Sequence, residues 1–284
     1  MSGIGHGAEV LPAPIAGRRR RQRWLEYKRP IPWTWSLVLG IAVWVIFFSL
    51  WETAVARGWV NALFMPPPHD VIRTLYRMIV YQGFLGDIGA SIYRIVASFL
   101  LASAVAVPIG VLMGCFRTID AFVNPFVAAW RYLPAPSFIP LLLMWFGTGE
   151  DSKIALLFIG VVFFLATLVM DHTKSVRTEL IETAMTLGAG RWQILRTIVV
   201  PAVSPNILIS MRQMLAVSWT YLVIAEIVAT TTGIGAVMMR GQRFLRVSEI
   251  MAGIVVIGIL GLVFDFLFRI AHRWLFPYIE RSEK

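Results

Sequence analysis

Long uncharged runs alternate with short polar breaks along most of this chain. Pro30 to Trp51 and Ile95 to Phe116 each hold 22 residues without a charge. About 20 residues cross a 30 Å hydrocarbon core, so each run predicts a membrane span. A third apolar run begins at Ala121, is interrupted by Trp130-Arg131-Tyr132-Leu133-Pro134-Ala135-Pro136, and resumes through Pro140. Two prolines two apart cannot lie inside one straight helix. Broken backbone at membrane depth is tolerated only where it is buried in protein or lines a cavity, so Arg131, Pro134 and Pro136 mark a candidate path through the membrane. Further runs at Ile154–Met170, Asn206–Thr230 and Ile250–Phe268 complete an all-α pattern of six spans.

The breaks carry their own patterns. Met65-Pro66-Pro67-Pro68 predicts a rigid turn, and Asp70 starts a helix with Val71, Ile72, Leu75, Met78 and Ile79 on one face. That helix is too short to span and is expected at the membrane interface, ended by Gly83 and Gly86. Arg117 and Asp120 predict a tight turn, and Gly147–Lys153 a second one. The segment Thr231–Glu249 contains Gly233, Gly235 and three arginines spaced by three, Arg240, Arg243 and Arg246, expected on one helix side. These arginines either meet acidic patches of a partner, or raise local anion concentration, or form a solvated face. The most marked break is Glu182–Pro201, which reads as two short helices. Val176, Leu180, Ile181, Ala184 and Leu187 form the apolar face of the first, and Trp192, Leu195, Ile198 and Val199 that of the second. Gly188 and Gly190 permit the sharp turn between them, and Pro201 is expected to end the second helix.

Charge orients this layout. The 284 residues are 58% hydrophobic and 15% charged, with a net charge of +10. Soluble domains carry about 25% charged residues. Seven basic residues crowd positions 1–29, a composition expected of a solvated tail. Counting Lys and Arg places sixteen in the tail, the Arg117 turn, the Glu182–Pro201 loop and the C-terminus, against seven on the other side. This bias predicts both termini and the loop in the cytoplasm. The basic residues flank spans rather than covering one soluble face, which argues against nucleic acid as a partner and for membrane lipid. The first apolar run is longer than the 7–15 residues of a signal peptide, so it is read as a span. One cysteine excludes an internal disulfide, and four scattered histidines form no metal site. Neither a phosphate-binding loop nor a catalytic constellation is present, so no catalytic, cofactor or metal residue is assigned.

The order Glu182, Thr183, Ala184, Gly188, Ile198, Pro201 resembles the "EAA" loop of permease subunits of binding-protein-dependent ABC importers. Thr183 stands where the family pattern has alanine, and Val200 where it has leucine. Ser91-Ile92-Tyr93-Arg94, the Arg131-x-x-Pro134-x-Pro136 break, Trp145-Phe146-Gly147-x-Gly149-Glu150 and Ala225-Glu226 extend the resemblance over residues 64–270. They are most similar to the branch that imports nitrate, bicarbonate, taurine and alkanesulfonates. The resemblance implies a type I importer permease fold in a bacterial inner membrane. Its parts would be a cytoplasmic basic tail (1–29), a first span with a periplasmic interfacial helix (30–86), a permease core (87–270) with a coupling loop (172–205), and a cytoplasmic C-terminal tail (271–284). Partners implied are cytoplasmic ATPase subunits, a periplasmic solute-binding protein and a second permease copy, a homodimer.

Glu182, Thr183, Ala184, Leu187, Gly188 and Arg191 would then couple to the ATPase. Glu182 either engages it by charge or caps its own helix. Arg191 and Arg196 either pair with acidic ATPase residues or face the membrane surface. Arg131 either attracts an anion or bonds carbonyls freed by Pro134 and Pro136, or pairs with Glu226. Trp219, Tyr221 and Glu226 either line the path or serve packing and pairing. The rival class is an ATP-independent channel or secondary carrier, which has no evident use for the long amphipathic loop.

Overall fold

The computed structural model describes residues 31–229 and 231–278, and every element in them is a helix. The basic tail of residues 1–29 lies outside the described residues, as do Arg281 and Lys284. Contacts divide the chain between Ser49 and Leu50. Helix α1, Trp33–Ala56, carries apolar side chains on all sides, and Trp33, Val38, Val43 and Trp44 are exposed. A helix apolar all round and long enough to cross the core is suited to lipid.

From Leu50 onward the helices pack on one another. They are α2 (Pro68–Tyr81), α3 (Phe84–Cys115), α4 (Arg117–Arg131), α5 (Ile139–Phe146), α6 (Glu150–Lys174), α7 (Thr178–Thr186), α8 (Arg191–Ile194), α9 (Val200–Ala229), α10 (Ile234–Arg243) and α11 (Val247–Leu275). Ile95, Phe99, Leu157, Val161, Leu165 and Leu222 bury a core between α3, α6 and α9. Along α3, small residues recur every fourth position at Ala102, Ala106, Gly110 and Gly114. Such a stripe lets two helix backbones approach closely in a membrane, where packing replaces the hydrophobic drive. A β-carbon on Gly110 would stand 2.6 Å from the Ala166 carbonyl oxygen and 2.7 Å from Val169 Cβ on α6. Gly110→Val is therefore expected to overpack this seam and cost about 1–3 kcal/mol. A lower melting temperature in detergent checks it, and an unchanged one would show that α3 and α6 can separate freely.

Among the described residues, five helices are long and apolar enough to span a membrane, six if the bent α4–α5 pair is one span. The break is where the prolines predict it. Helix α4 stops at Arg131, Ala135–Phe138 forms a 3-10 turn, and the two arms meet at 87°. Trp130 stacks on Phe138 and on Phe163, with centroids 5.4 Å apart in each case, which ties the broken backbone to α6.

Several expected boundaries move. Helix α3 starts at Phe84 rather than near Ile95, because Arg94 is buried and neutralised instead of marking a membrane surface. Gly83 (φ 70°) precedes α3, while Gly86 lies inside its first turns rather than ending α2. Arg117 already begins α4, with Asp120 in its first turn receiving Lys174 at 2.6 Å. On α2, Val71 and Met78 are buried, with Leu75 and Ile79 beside them, and pack with α10 and α11 residues. Ile72 is 67% exposed, since its 100° step from Val71 carries it off that face.

Pro201 does not end a helix. Arg191 to Val228 is one run of 38 residues in which α8 passes through a π turn, Leu195–Val199, into α9. Proline offers no N–H to the carbonyl four residues back, and its ring crowds that group. The wider winding, with the Val200 amide donating to the Leu195 carbonyl, absorbs the misfit. Nor do the three outer arginines share one helix side. Helix α10 stops at Arg243, and Leu245 (φ 54°) turns the chain. Arg240 pairs with Asp87 at 3.5 Å, and Arg246 with Glu249 at 3.3 Å.

Candidate coupling hairpin and buried charge clamp

The loop between α6 and α9 is a tight hairpin. Thr183 Oγ1 donates to the Glu179 carbonyl and Thr186 Oγ1 to the Thr183 carbonyl, so both threonines face back into α7. The helix closes with two bonds of the Schellman kind. The Gly188 amide donates to the Met185 carbonyl and the Ala189 amide to the Ala184 carbonyl, each at 3.0 Å. This closure needs Gly188 in the left-handed region, and its φ is 84°. Ala184, Ile194, Leu195 and Val199 are buried beneath the hairpin.

The exposed side is unusual. Leu187 is 83% exposed and Trp192 62%, although both were expected on apolar faces. Leu187 follows the last residue of α7 and turns outward where the helix stops. Around these two, Glu182, Arg191 and Arg196 are exposed and make no hydrogen bond or ion pair among the described residues. Glu182 does not cap its helix, because it sits four residues past Thr178, beyond reach of the first amides. Leu187 and Trp192 thus form an exposed apolar pair ringed by unspent charges of both signs.

At the far end of α6 and α9 stands a second constellation. Arg94 on α3 is 1% exposed. Its Nε and Nη2 donate to the two Glu150 oxygens at 2.6 and 2.7 Å, a bidentate fork. Nη1 donates to Glu226 Oε1 at 2.6 Å. The remaining donors reach the Thr232 carbonyl at 2.9 Å and its Oγ1 at 2.8 Å. All five guanidinium N–H groups are thus engaged. Glu226, at 0% exposure, also accepts from Ser91 Oγ at 2.7 Å and from the Gly235 amide at 2.8 Å. Lys153 adds a bond to Glu150 at 2.9 Å.

This network also caps α10. The Gly233 amide donates to Asp87, the Ile234 amide to Ser91 Oγ and the Gly235 amide to Glu226, so α3 and α9 satisfy amides the helix cannot. Gly233 takes φ 109° and approaches so closely that an added β-carbon would meet Glu226 Oε1 and Arg94 Nη1. Two cations and two carboxylates, Arg94 and Lys153 with Glu150 and Glu226, leave the clamp neutral. Burying such ions is costly unless geometry and hydrogen bonding are complete, and here they are.

Glu226 therefore pairs with Arg94 and not with Arg131. Arg131 stands apart, half-buried at the end of α4 with its guanidinium 5.6 Å from the Tyr132 ring centroid. It bonds none of the carbonyls near Pro134 or Pro136 among the described residues. Trp219 is buried against Phe264, centroids 5.9 Å apart. The signal that could have found the clamp was a pair of opposite charges, Arg94 at the edge of span two and Glu226 inside span five. Asp87, Lys153 and Thr232 carry no such mark in the sequence.

Known proteins share this plan. The family model described as binding-protein-dependent transport system inner membrane component matches residues 106–281. The chain is 31% identical over 261 residues to the taurine transport system permease protein TauC of Escherichia coli, covering 89% of this chain and 95% of that one. It is 28% identical over 256 residues to the putative aliphatic sulfonates transport permease protein SsuC of Bacillus subtilis, covering 90% and 93%. It is 25% identical over 195 residues to the bicarbonate transport system permease protein CmpB of Synechococcus elongatus, covering 68% and 70%. Among solved structures, a bacterial alginate ABC transporter in complex with a pentasaccharide-bound periplasmic protein has a chain matching at TM-score 0.58 and 17% identity, over 85% of this chain and 95% of that one. The MetNI methionine ABC transporter matches at TM-score 0.57 and 21% identity, over 67% and 94%. At these identities the structural matches establish a shared fold.

Proposed function

The chain belongs to the family of binding-protein-dependent transport system inner membrane components, and from that membership we propose that it moves a small anion into the cytoplasm as half of a permease pair. It is a multi-pass membrane transport subunit and not an enzyme, and ATP hydrolysis belongs to separate ATPase subunits. The observation that carries the finer reading is the α7–α8 hairpin, with Leu187 and Trp192 exposed among uncompensated charges. Glu182, Thr183, Ala184, Leu187, Gly188 and Arg191 form the proposed contact with the ATPase. Helices α6 and α9 leave this hairpin and run to the Arg94 clamp. A push on α7 is thereby delivered along two rigid rods rather than lost in a loop.

The Lys/Arg bias supports placing the hairpin, residues 1–29 and residues 271–284 in the cytoplasm, and the clamp at the periplasmic face. The broken α4–α5 span, with Arg131, Pro134 and Pro136, borders the proposed path, and Trp219 lies deeper along α9. Glu226 serves this path indirectly by holding α9 to α3. A second copy of the chain completes the pair, and a solute-binding protein delivers the solute. The relatives named for taurine, sulfonates and bicarbonate support a small oxyanion as that solute.

The test is co-purification. The chain is expressed with its genomic neighbours, extracted in detergent and purified by a tag. A stoichiometric ATPase with phosphate release is the expected result. Gly188→Leu should place a side chain in the left-handed region at about 1–2 kcal/mol, loosen the hairpin and reduce bound ATPase severalfold while the permease elutes normally. A chain that purifies alone, with no neighbouring ATPase gene, would return the carrier or channel reading to first place.

A further inference from the structure

Where α3 and α11 end and α9 begins, the packing leaves a crevice of about 460 Å³. Its walls come from all three helices: Val111 on α3, Leu195, Val200 and Ser204 along the π turn and α9, and Phe276 at the end of α11. Ser204 carries the one hydroxyl among the lining residues, and Ser204 Oγ donates to the Val200 carbonyl at 2.6 Å. Such walls give water little to bond. An apolar cavity of roughly 150 Å³ already stays dry and holds benzene, and this crevice is about three times as large.

The crevice is open at the membrane face where the hairpin stands. Trp192 also lines it, and Trp192 and Val200 are 62% and 38% exposed. At 1.5 Å per residue, Val111 lies about 6 Å inside the Cys115 end of α3. Along α9 the lining runs from Val200 to Met211, about 16 Å further in. The mouth therefore stands where the span ends meet the headgroups, and the inner end reaches toward the hydrocarbon. Beside the mouth is Arg196, four residues from Trp192 and four from Val200. Residues at that spacing are neighbours along a helix. Arg196 is exposed and makes no hydrogen bond or ion pair among the described residues. A cation outside and apolar walls within match a molecule with an anionic head and a hydrocarbon tail. Basic pockets between membrane helices take acidic headgroups, and indole rings such as that of Trp192 belong at the same level.

We propose that this crevice holds an acyl chain of an anionic phospholipid whose phosphate pairs with Arg196. A lipid tail brings no polar group that the walls would have to satisfy, and the surrounding membrane supplies it at high concentration. The assignment rests on the chain's place in a membrane and not on the importer reading.

The full chain, purified in detergent, is titrated with phosphatidylglycerol and separately with phosphatidylcholine, and retained lipid is counted by native mass spectrometry. Wild type should retain one phosphatidylglycerol per chain, at about fivefold lower concentration than phosphatidylcholine, the contribution of one arginine near the membrane surface. Arg196→Gln should remove this preference without lowering the melting temperature. Ser204→Phe fills the crevice and should lower retention of both lipids at least tenfold, whereas Ser204→Ala should retain them as wild type does. Val200→Trp fills the crevice from a half-exposed position and replaces Ser204→Phe if that variant melts early. Unchanged retention in the filled variants would overturn the assignment, and so would equal retention of the two lipids by wild type. Displacement by excess glycerol 3-phosphate would show a headgroup site with no chain in the crevice, and would overturn it too. Paired wild-type chains that separate on Ser204→Phe with bound lipid unchanged would make a second copy the occupant instead.

Discussion

Replacing Arg94 by Met should leave little folded protein in a detergent extract. Methionine fills much of the arginine stem but offers none of the five donors. Glu226, fully buried, would lose its guanidinium and keep neutral donors such as Ser91 and the Gly235 amide. Glu150 would keep Lys153, and both Thr232 acceptors would lose Arg94. Removing one partner of a buried pair costs about 3–5 kcal/mol, against a whole-domain stability of about 5–15 kcal/mol. The loss is expected as collapse of the monodisperse peak on size exclusion of a fluorescently tagged chain. Arg94→Met combined with Glu226→Gln separates charge from shape, because it removes the stranded carboxylate as well. The pair should recover part of the loss, with a coupling of about 0.5–3 kcal/mol in the double-mutant cycle. Simple additivity would show that the two residues do not act as a unit, and the clamp would lose its meaning.

Glu182→Lys should behave in the opposite way. Its side chain is exposed and unpartnered, so stability should change by no more than about 0.5 kcal/mol. Its surface, however, is the proposed ATPase contact. Setting like charges opposite one another at an interface costs several kcal/mol, and about 1.4 kcal/mol is a factor of ten in affinity. Bound ATPase should therefore fall by roughly a hundredfold and uptake should stop, while the size-exclusion profile stays that of wild type. Glu182→Gln, which removes charge without reversing it, should lie between. Uptake unchanged in Glu182→Lys would remove the lever role from α7.

The two variants fail at opposite ends of α6 and α9, and the contrast tests how the fold is wired. A variant at the clamp should lose the protein, whereas one at the hairpin should lose only its coupling.

Much of this is legible in the sequence alone. The apolar runs located the spans, the prolines at 134 and 136 located the break, and the left-handed Gly188 was placed by its position between two amphipathic segments. The hairpin is local, with its closing bonds joining residues no more than five apart, so the pattern of residues carried it. The errors were also physical. By its sequence Arg94 marks the edge of a span, because a lone charge is expensive in lipid, and Pro201 marks a stop, because proline lacks a donor. Each rule holds for an isolated helix. Arg94 escapes it through two carboxylates on other helices, and Pro201 through a π turn.

What the sequence by itself determined is therefore the set of helices and their order, since in a membrane every backbone N–H and C=O must be satisfied within its own segment. That condition is local, and residue type along the chain decides it. What only the tertiary structure decided is which charges meet. Arg94 reaches Glu226 across 132 residues and Glu150 across 56, and Arg212 finds Asp265 rather than another acid. Such pairings depend on the rotation and depth of each helix against its neighbours. Close packing at Gly110 and Gly114 sets α3 against α6, and Tyr221 over Gly160 sets α9 against α6; no single segment encodes such contacts.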